Sequence, residues 1–371
     1  MNQGKYVFSQ LFGVVNRYEF DKCVNRYHGN LYVKHFSCWE QFLVMSFAQF
    51  CGRESLRDIA YCLRAFQSNL YHCGISSRIA RSTLAQANAN RSWKIYADLA
   101  QSLIQTALPL YKGENTIAKK LKTVIYAFDS TTIDLCLELF EWATFRSTKA
   151  GVKVHVLLNI EGAIPEFVRI TEAISSDVLL LDELTYKAGC YYLLDRGYVD
   201  YQRLYHLEQR KAFFVTRAKE NMAYRVVSKR VADKNSGIRK DQSVQLKGYY
   251  ALKDYPALMR RIKYKDKATG KVLVFLTNNF VLKAATVARL YQQRWQVELF
   301  FKWIKQHLRI KRFYGNTDNV VRLQIWIAVC DYLIAAIVKK QMNIEVPLSQ
   351  MMQVLSLSLF ERVPIKELFI N

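Results

Sequence analysis

Three carboxylates are spaced so that they could share a cation. Asp129 ends the apolar, β-rich run Thr123-Val-Ile-Tyr-Ala-Phe128, and Asp195 ends a second one, Cys190-Tyr-Tyr-Leu-Leu194. A side chain at the C-terminal end of a buried strand faces the crevice where open sheets place their ligands. Glu298 lies between Tyr291 and Lys305, a stretch without Gly or Pro. Around it Leu290, Val297, Phe301, Ile304 and Leu308 recur at helical steps. On another face Arg294, Glu298, Lys302, Lys305 and Arg309 recur likewise, one carboxylate among four cations. Two aspartates on adjacent strand ends, with a glutamate on a helix packed over them, give a site of oxygen ligands alone. Such a cluster stays ionised only beside cations, and oxygen ligands select hard Mg2+ or Mn2+. Two such ions about 4 Å apart activate a water or 3′-hydroxyl and stabilise the leaving oxygen of a phosphodiester displacement. Taken singly, each Asp reads equally well as a cap, and the Arg-Glu-Lys face as solvated ion pairs.

Charge narrows the substrate. The 371 residues carry a net +23, which points to a polyanion, with nucleic acid ahead of a membrane surface. At 51 % hydrophobic residues the chain folds, with room for two or three domains. No apolar run approaches the ~20 residues of a bilayer span, and the start Met-Asn-Gln-Gly-Lys-Tyr lacks a signal-peptide core, so the expected place is the cytoplasm, in association with the nucleoid. Eight scattered cysteines without a CxxC pair read as reduced and mostly buried, and six scattered histidines argue against zinc.

The elements around the carboxylates follow from periodicity. Residues 1–118 read as helical, with Cys38 to Phe50, Glu54 to Phe66 and Trp93 to Leu110 as the main helices. Residues 54–66 lead through Cys73-Gly74 into 77–88, which carries Arg78, Arg81, Ser82, Gln86 and Asn88. That pattern suits a helix-turn-helix DNA reader or an ordinary helical hairpin. From Thr123 the pattern turns to strands: 123–128, then 151–160 with its hairpin partner 164–171, then 190–194 and 212–216. Ser175 to Lys187 and Asp200 to Gln209 read as helices, with Asp200 as an N-cap. Between Arg217 and Lys271, sixteen Lys and Arg face five Asp and Glu, nearly half of the net charge in short β-like runs. After the Glu298 helix come a mostly apolar helix, Val320 to Met342, and a helical tail from Leu348.

Asp129-Ser-Thr-Thr, Leu193-Leu-Asp195-Arg-Gly-Tyr and Tyr291-x2-Arg294-x3-Glu298-x6-Lys305 together resemble the motif set of DDE transposases of bacterial insertion sequences. The last spacing resembles the YREK signature of the insertion-sequence-four group. The resemblance covers most of the chain and implies an α/β fold with an RNase H-like core. A β-rich insertion before the last core helix interrupts that core, and an all-α N-terminal DNA-binding region precedes it. The implied boundaries are 1–118 for the N-terminal region, 119–217 and 281–345 for the two parts of the core, 218–280 for the insertion and 346–371 for a tail. By the same resemblance Asp129, Asp195 and Glu298 are the metal-binding catalytic triad. Tyr291, Arg294 and Lys305 then contact phosphates of the transposon end, where an Arg fork and a Lys point charge suit phosphate. Arg196, Lys302, Arg78 and Arg81 complete the expected DNA contacts. The implied cofactor is Mg2+ or Mn2+, two ions. The partners are double-stranded DNA, as terminal inverted repeats and as target, and a second copy of the chain on that DNA.

The group's usual route nicks DNA, forms a hairpin on the transposon end, reopens it and joins the end to target. An aromatic in the insertion often holds a flipped base. No Trp lies between Trp142 and Trp295, a departure from that pattern that leaves Tyr249, Tyr250 or Tyr255 for the role. Ser130, Thr131 and Thr132 read as orienting Asp129 or as caps, Lys153 and His155 as structural or DNA-backbone groups, and Trp295 as core. Two other functions compete: a nuclease that cuts without joining, and a DNA-binding protein derived from a transposase. The intact carboxylates and Lys305 argue against the second.

Overall fold

The computed structural model describes residues 4–75, 78–146, 149–307 and 313–370. The chain forms two compact units. The first contains Met1–Lys112, Ile133–Val152 and Phe300–Asn371, the second Gly113–Thr132 and Lys153–Leu299.

The first unit is helical. Helix Cys38–Phe50 begins in a capping box, in which the Ser37 side chain accepts from the Glu40 N–H while Glu40 accepts from the Ser37 N–H. Helices Lys94–Tyr111 and Asp318–Gln341 pack along each other, and the Tyr111 hydroxyl donates to the Ala336 carbonyl at 2.7 Å. Contrary to the sequence expectation, Asp318–Gln341 is long and apolar enough to cross a membrane. Its most apolar window is nevertheless 89 % buried within the protein, as a core helix is. The C-terminal helix Leu348–Ser358 packs on Cys38–Phe50 within the first unit. Seven of the eight cysteines are at least half-buried and all are free; Cys136 is exposed.

The second unit is built on a sheet. Its strands are β1 (Ile125–Leu135), β2 (Thr144–Arg146), β3 (Lys149–Asn159), β4 (Ile164–Glu172), β5 (Tyr191–Leu194), β6 (Phe213–Arg217), β7 (Tyr224–Arg230), β8 (Ile238–Leu246), β9 (Met259–Lys265) and β10 (Val272–Thr277). The first residues of β1 and β3 belong to different units; β2 pairs only with the start of β3, within the first unit. Strand order is β2-β3-β1-β5-β6-β10-β9-β8-β7, with β4 on β3. β1, β5 and β6 run parallel, as strands joined by crossovers do, and β6, β10, β9, β8 and β7 pair antiparallel. The sheet is therefore mixed.

The basic stretch 218–280 is β-rich and continues the sheet. β10 hydrogen-bonds to β6, and Val244, Leu246 and Met259 share one apolar cluster with Tyr192, Leu194 and Phe214. Ser175 to Lys187 is no α-helix; only Asp177–Glu183 turns, as a 3-10 helix, and Asp177 at its start pairs with Lys153 at 3.0 Å. Asp200 caps helix Tyr201–Gln209, accepting from the Arg203 N–H at 3.0 Å.

Candidate active site

Parallel pairing sets the first two carboxylates side by side. β1 and β5 are in register from Ile125↔Tyr191 to Phe128↔Leu194, so Asp129 and Asp195 each follow a paired, buried residue. β1 does not end at Asp129, as the sequence suggested, but runs on to Leu135. The change at Asp129 is one of burial, from fully buried residues to half-buried ones. After Asp195 the chain turns through the 3-10 helix Arg196–Tyr198, which the Asp195 side chain caps by accepting from the Gly197 N–H at 3.4 Å. The Tyr198 ring packs edge-on to Phe128 at 5.1 Å and ties this turn to β1.

The third carboxylate arrives on a broken helix. Tyr291 to Lys305 was expected as one helix, but two form, Ala284–Gln293 and Trp295–His307, joined at Arg294. There the Arg294 N–H bonds the Tyr291 carbonyl at 3.1 Å, and the Val297 N–H bonds the Arg294 carbonyl at 3.1 Å. Both bonds span three residues, so the joint is a tightened turn that stays near helical geometry. Leu290, Val297, Phe301 and Ile304 are all buried; Leu308 and Arg309 lie outside the described residues. Trp295 is 58 % exposed and is not core.

Two of the residues expected to meet DNA, Tyr291 and Arg294, bond the carboxylates. The Arg294 fork donates to Asp129 Oδ2 at 3.0 Å and to Glu298 Oε1 at 2.5 Å. The Tyr291 ring rests on Phe275 of β10 at 5.0 Å, and its hydroxyl donates to Asp195 Oδ1 at 3.2 Å. Burial pushes the Asp129 carboxyl up to about 6, and Asp195 and Glu298 add to that shift. The Ser130 N–H and Arg294 oppose it. Burial would raise Asp195 too, yet it lies below its ordinary value because the Arg196 and Gly197 N–H groups, Arg294 and Tyr291 favour its charged form. Burial likewise drives Tyr291 up to about 12, so it stays a neutral donor.

Other expected residues fall elsewhere. Lys302 is exposed and Lys305 half-buried, and both belong to the first unit. Arg78 and Arg81 are exposed at the start of helix Arg81–Asn90. Asn88 is buried and takes a hydrogen bond from Gln41, so it cannot read DNA. Arg196 is paired with Glu220 at 2.9 Å. Tyr255 is buried with its hydroxyl on Glu208, whereas Tyr249 and Tyr250 are 76 % and 78 % exposed. Lys153 bonds Asp177 and the Ser175 carbonyl, and His155 is fully buried against Thr171. Sequence reasoning missed Asp177 because it read the segment as a helix; a lone Lys facing the core was the available signal.

Among the described residues no three His, Cys, Asp or Glu side chains enclose a point where one ion would sit. The donor set nevertheless fits a hard divalent ion. Asp129, Asp195 and Glu298 offer oxygen alone, and their proximity is felt in the raised Asp129 value.

Comparison with known proteins gives the family. The family described as "Transposase DDE domain" matches residues 120–334, and a domain family of unknown function matches residues 3–76. A protein named "Putative transposase y4zB" from Sinorhizobium fredii is 34 % identical over 287 residues, 75 % of this chain and 77 % of its own length. "Probable transposase for insertion sequence element IS5377" from Geobacillus stearothermophilus is 32 % identical over 224 residues, 58 % of each chain. "Putative transposase for insertion sequence element IS4SA" from Synechocystis is 24 % identical over 275 residues, 68 % of this chain and 70 % of its own. Among solved structures, the piggyBac transposase synaptic complex with hairpin DNA aligns with 97 % of this chain and 80 % of its own, at TM-score 0.49 and 11 % identity. With a family match over more than half of its length and a relative at 34 % identity over three quarters of it, the chain belongs to the DDE transposases of insertion sequences.

Proposed function

We propose that Asp129, Asp195 and Glu298 are the catalytic carboxylates of this transposase and hold the divalent metal on which its family depends. The observation that carries the reading is the pairing of Phe128 with Leu194, which sets Asp129 beside Asp195, together with the Arg294 fork that ties Asp129 to Glu298. The sheet order β4-β3-β1-β5-β6 supports an RNase H-like core. Mg2+ or Mn2+, as two ions, supplies charge neutralisation and activation of the attacking oxygen when bound there. The chain's own groups do the rest. Ser130 N–H and Tyr291 orient Asp129 and Asp195, while Arg294, Lys305 and exposed Lys302 and Arg196 offer cations to the phosphates of the transposon end. In the N-terminal region Arg78 and Arg81 serve the terminal inverted repeat. The pathway is cut-and-paste through a hairpin, with exposed Tyr249 or Tyr250 available to stack a displaced base, and the active form is a dimer on DNA.

The test mixes purified protein, Mg2+ and a labelled duplex carrying the element's end. Hairpin and strand-transfer products are expected. Asp129→Ala and Glu298→Gln should abolish them and leave DNA binding intact. Full activity in Glu298→Gln would overturn the assignment. Cleavage without joining would make the protein a nuclease, and binding alone a DNA-binding descendant.

A further inference from the structure

Arg294 is placed to do more than touch DNA. Its two terminal nitrogens hold Asp129 Oδ2 and Glu298 Oε1, two of the three carboxylates that the proposed reading gives to the metal. The side chain is only 12 % exposed, yet its Nε is buried without a partner. A second buried arginine in the same unit shows what a structural fork looks like. Arg260 places Nε and Nη2 on Asp241 and Nη1 on the Asn279 and Leu282 carbonyls, and leaves no nitrogen without a partner. An unpaired buried donor is a cost that a purely structural bridge has no reason to keep. A guanidinium and a divalent cation also repel within a few ångströms, so an ion on these carboxylates binds less tightly while Arg294 holds them.

We infer that Arg294 is the metal's built-in rival: its guanidinium occupies the carboxylates in the DNA-free chain, and a DNA phosphate must draw it off before a divalent cation binds tightly. Three features support the hand-over. Arg294 sits at the joint between two helices, where a long side chain can change rotamer without moving either one. Its more exposed partner is Glu298, at 31 % against 19 % for Asp129, so the fork has one end toward solvent. Phosphate also accepts the same bidentate fork that carboxylate does. The consequence is an order of events: DNA first, metal second. A chain that cannot load metal without DNA cannot cut indiscriminately.

This inference rests on the carboxylates being the metal site, and the experiment separates the two ideas. Mn2+ binding is measured by the electron paramagnetic resonance of the free ion, with no turnover needed. Arg294→Gln without DNA should bind Mn2+ more tightly than the native chain, by roughly 5–150-fold, the usual span of coupling between sites. That sign is diagnostic, because damage to the site would weaken binding. The native chain should gain a similar factor when a duplex carrying the element's end is added, and Arg294→Gln should gain little. If Arg294→Gln folds poorly, Arg294→Lys keeps the charge but cannot span both carboxylates, and it should fall between the two. Equal Mn2+ affinity in native and Arg294 variants, with no gain from DNA, would overturn the rivalry and leave the metal site standing. If adding Glu298→Gln to Arg294→Gln left Mn2+ binding unchanged, the ion would not be at these carboxylates, and both ideas would fall.

Discussion

The two buried arginines of the second unit make the same bond to carboxylate and differ in everything around it. Arg260 and Asp241 are 3 % and 5 % exposed and meet on neighbouring strands, β9 and β8, where the sheet fixes both backbones. Every nitrogen of that guanidinium is used. Arg294 serves two carboxylates from a helix joint and leaves its Nε idle, while burial raises Asp129 to about 6. The first arrangement pairs one charge with one, while the second sets one guanidinium against two carboxylates. Residual frustration of this kind marks a site that awaits another cation.

The largest effect should come from breaking the resolved pair. Asp241→Ala leaves a buried guanidinium without its counter-charge and should cost about 3–5 kcal/mol in denaturant unfolding. Replacing both partners, Asp241→Leu with Arg260→Met, should restore most of that loss, since apolar packing there is often neutral. Arg294→Gln should cost clearly less than Asp241→Ala, because Asp129 and Glu298 keep access to water. An Arg294→Gln loss as large as that of Asp241→Ala would erase the distinction between the two arginines.

Much of this was legible in the sequence, and the limits have physical causes. The apolar runs 123–128 and 190–194 were readable as strands, since buried parallel strands are continuously apolar. Their register, which brings Asp129 to Asp195, was not readable, because pairing is a tertiary choice. The basic stretch 218–280 showed its alternation and its charge, but nothing local said that β10 would join β6. At Arg294 the helical spacing was right and the inference from it incomplete. A period of 3.6 places Arg294 and Glu298 on one face, but it cannot tell whether the fork points at phosphate or back at Asp129. Trp295 failed in the opposite direction, since a large aromatic inside a signature reads as core and here lies on the surface.

His155 offers a third way to bury a titratable group, by keeping it neutral. Burial lowers it to about 4, and its ring bonds Thr171. The sign follows from linkage. Above the ordinary value of about 6.5 neither state is protonated. As pH falls below 6.5 the unfolded chain takes the proton first, so stability drops until the folded state titrates near 4. The loss is on the order of 3 kcal/mol. Asp129 acts oppositely: its raised value means the folded chain takes a proton first as pH falls through 6, which adds stability. Comparing native protein with His155→Gln, whose amide can still reach Thr171, cancels the Asp129 contribution. Between pH 6.5 and 4 the native chain should lose stability relative to the variant; parallel curves would show that His155 is not held neutral.

The smallest effect belongs to the same bond without burial. Arg196 and Glu220 lie 2.9 Å apart, but at 45 % and 91 % exposure. Water and salt screen such a pair, and holding two long side chains in one geometry costs entropy, so Glu220→Ala should change stability by less than about 0.5 kcal/mol. Its effect should appear on DNA instead. Removing the carboxylate adds one unit of positive charge beside Arg196, which should tighten binding of a duplex at low salt and lose that gain as salt rises. If Glu220→Ala destabilised the fold as Asp241→Ala does, burial would not be what separates the two pairs. If it left DNA binding unchanged at every salt concentration, Arg196 would not face DNA.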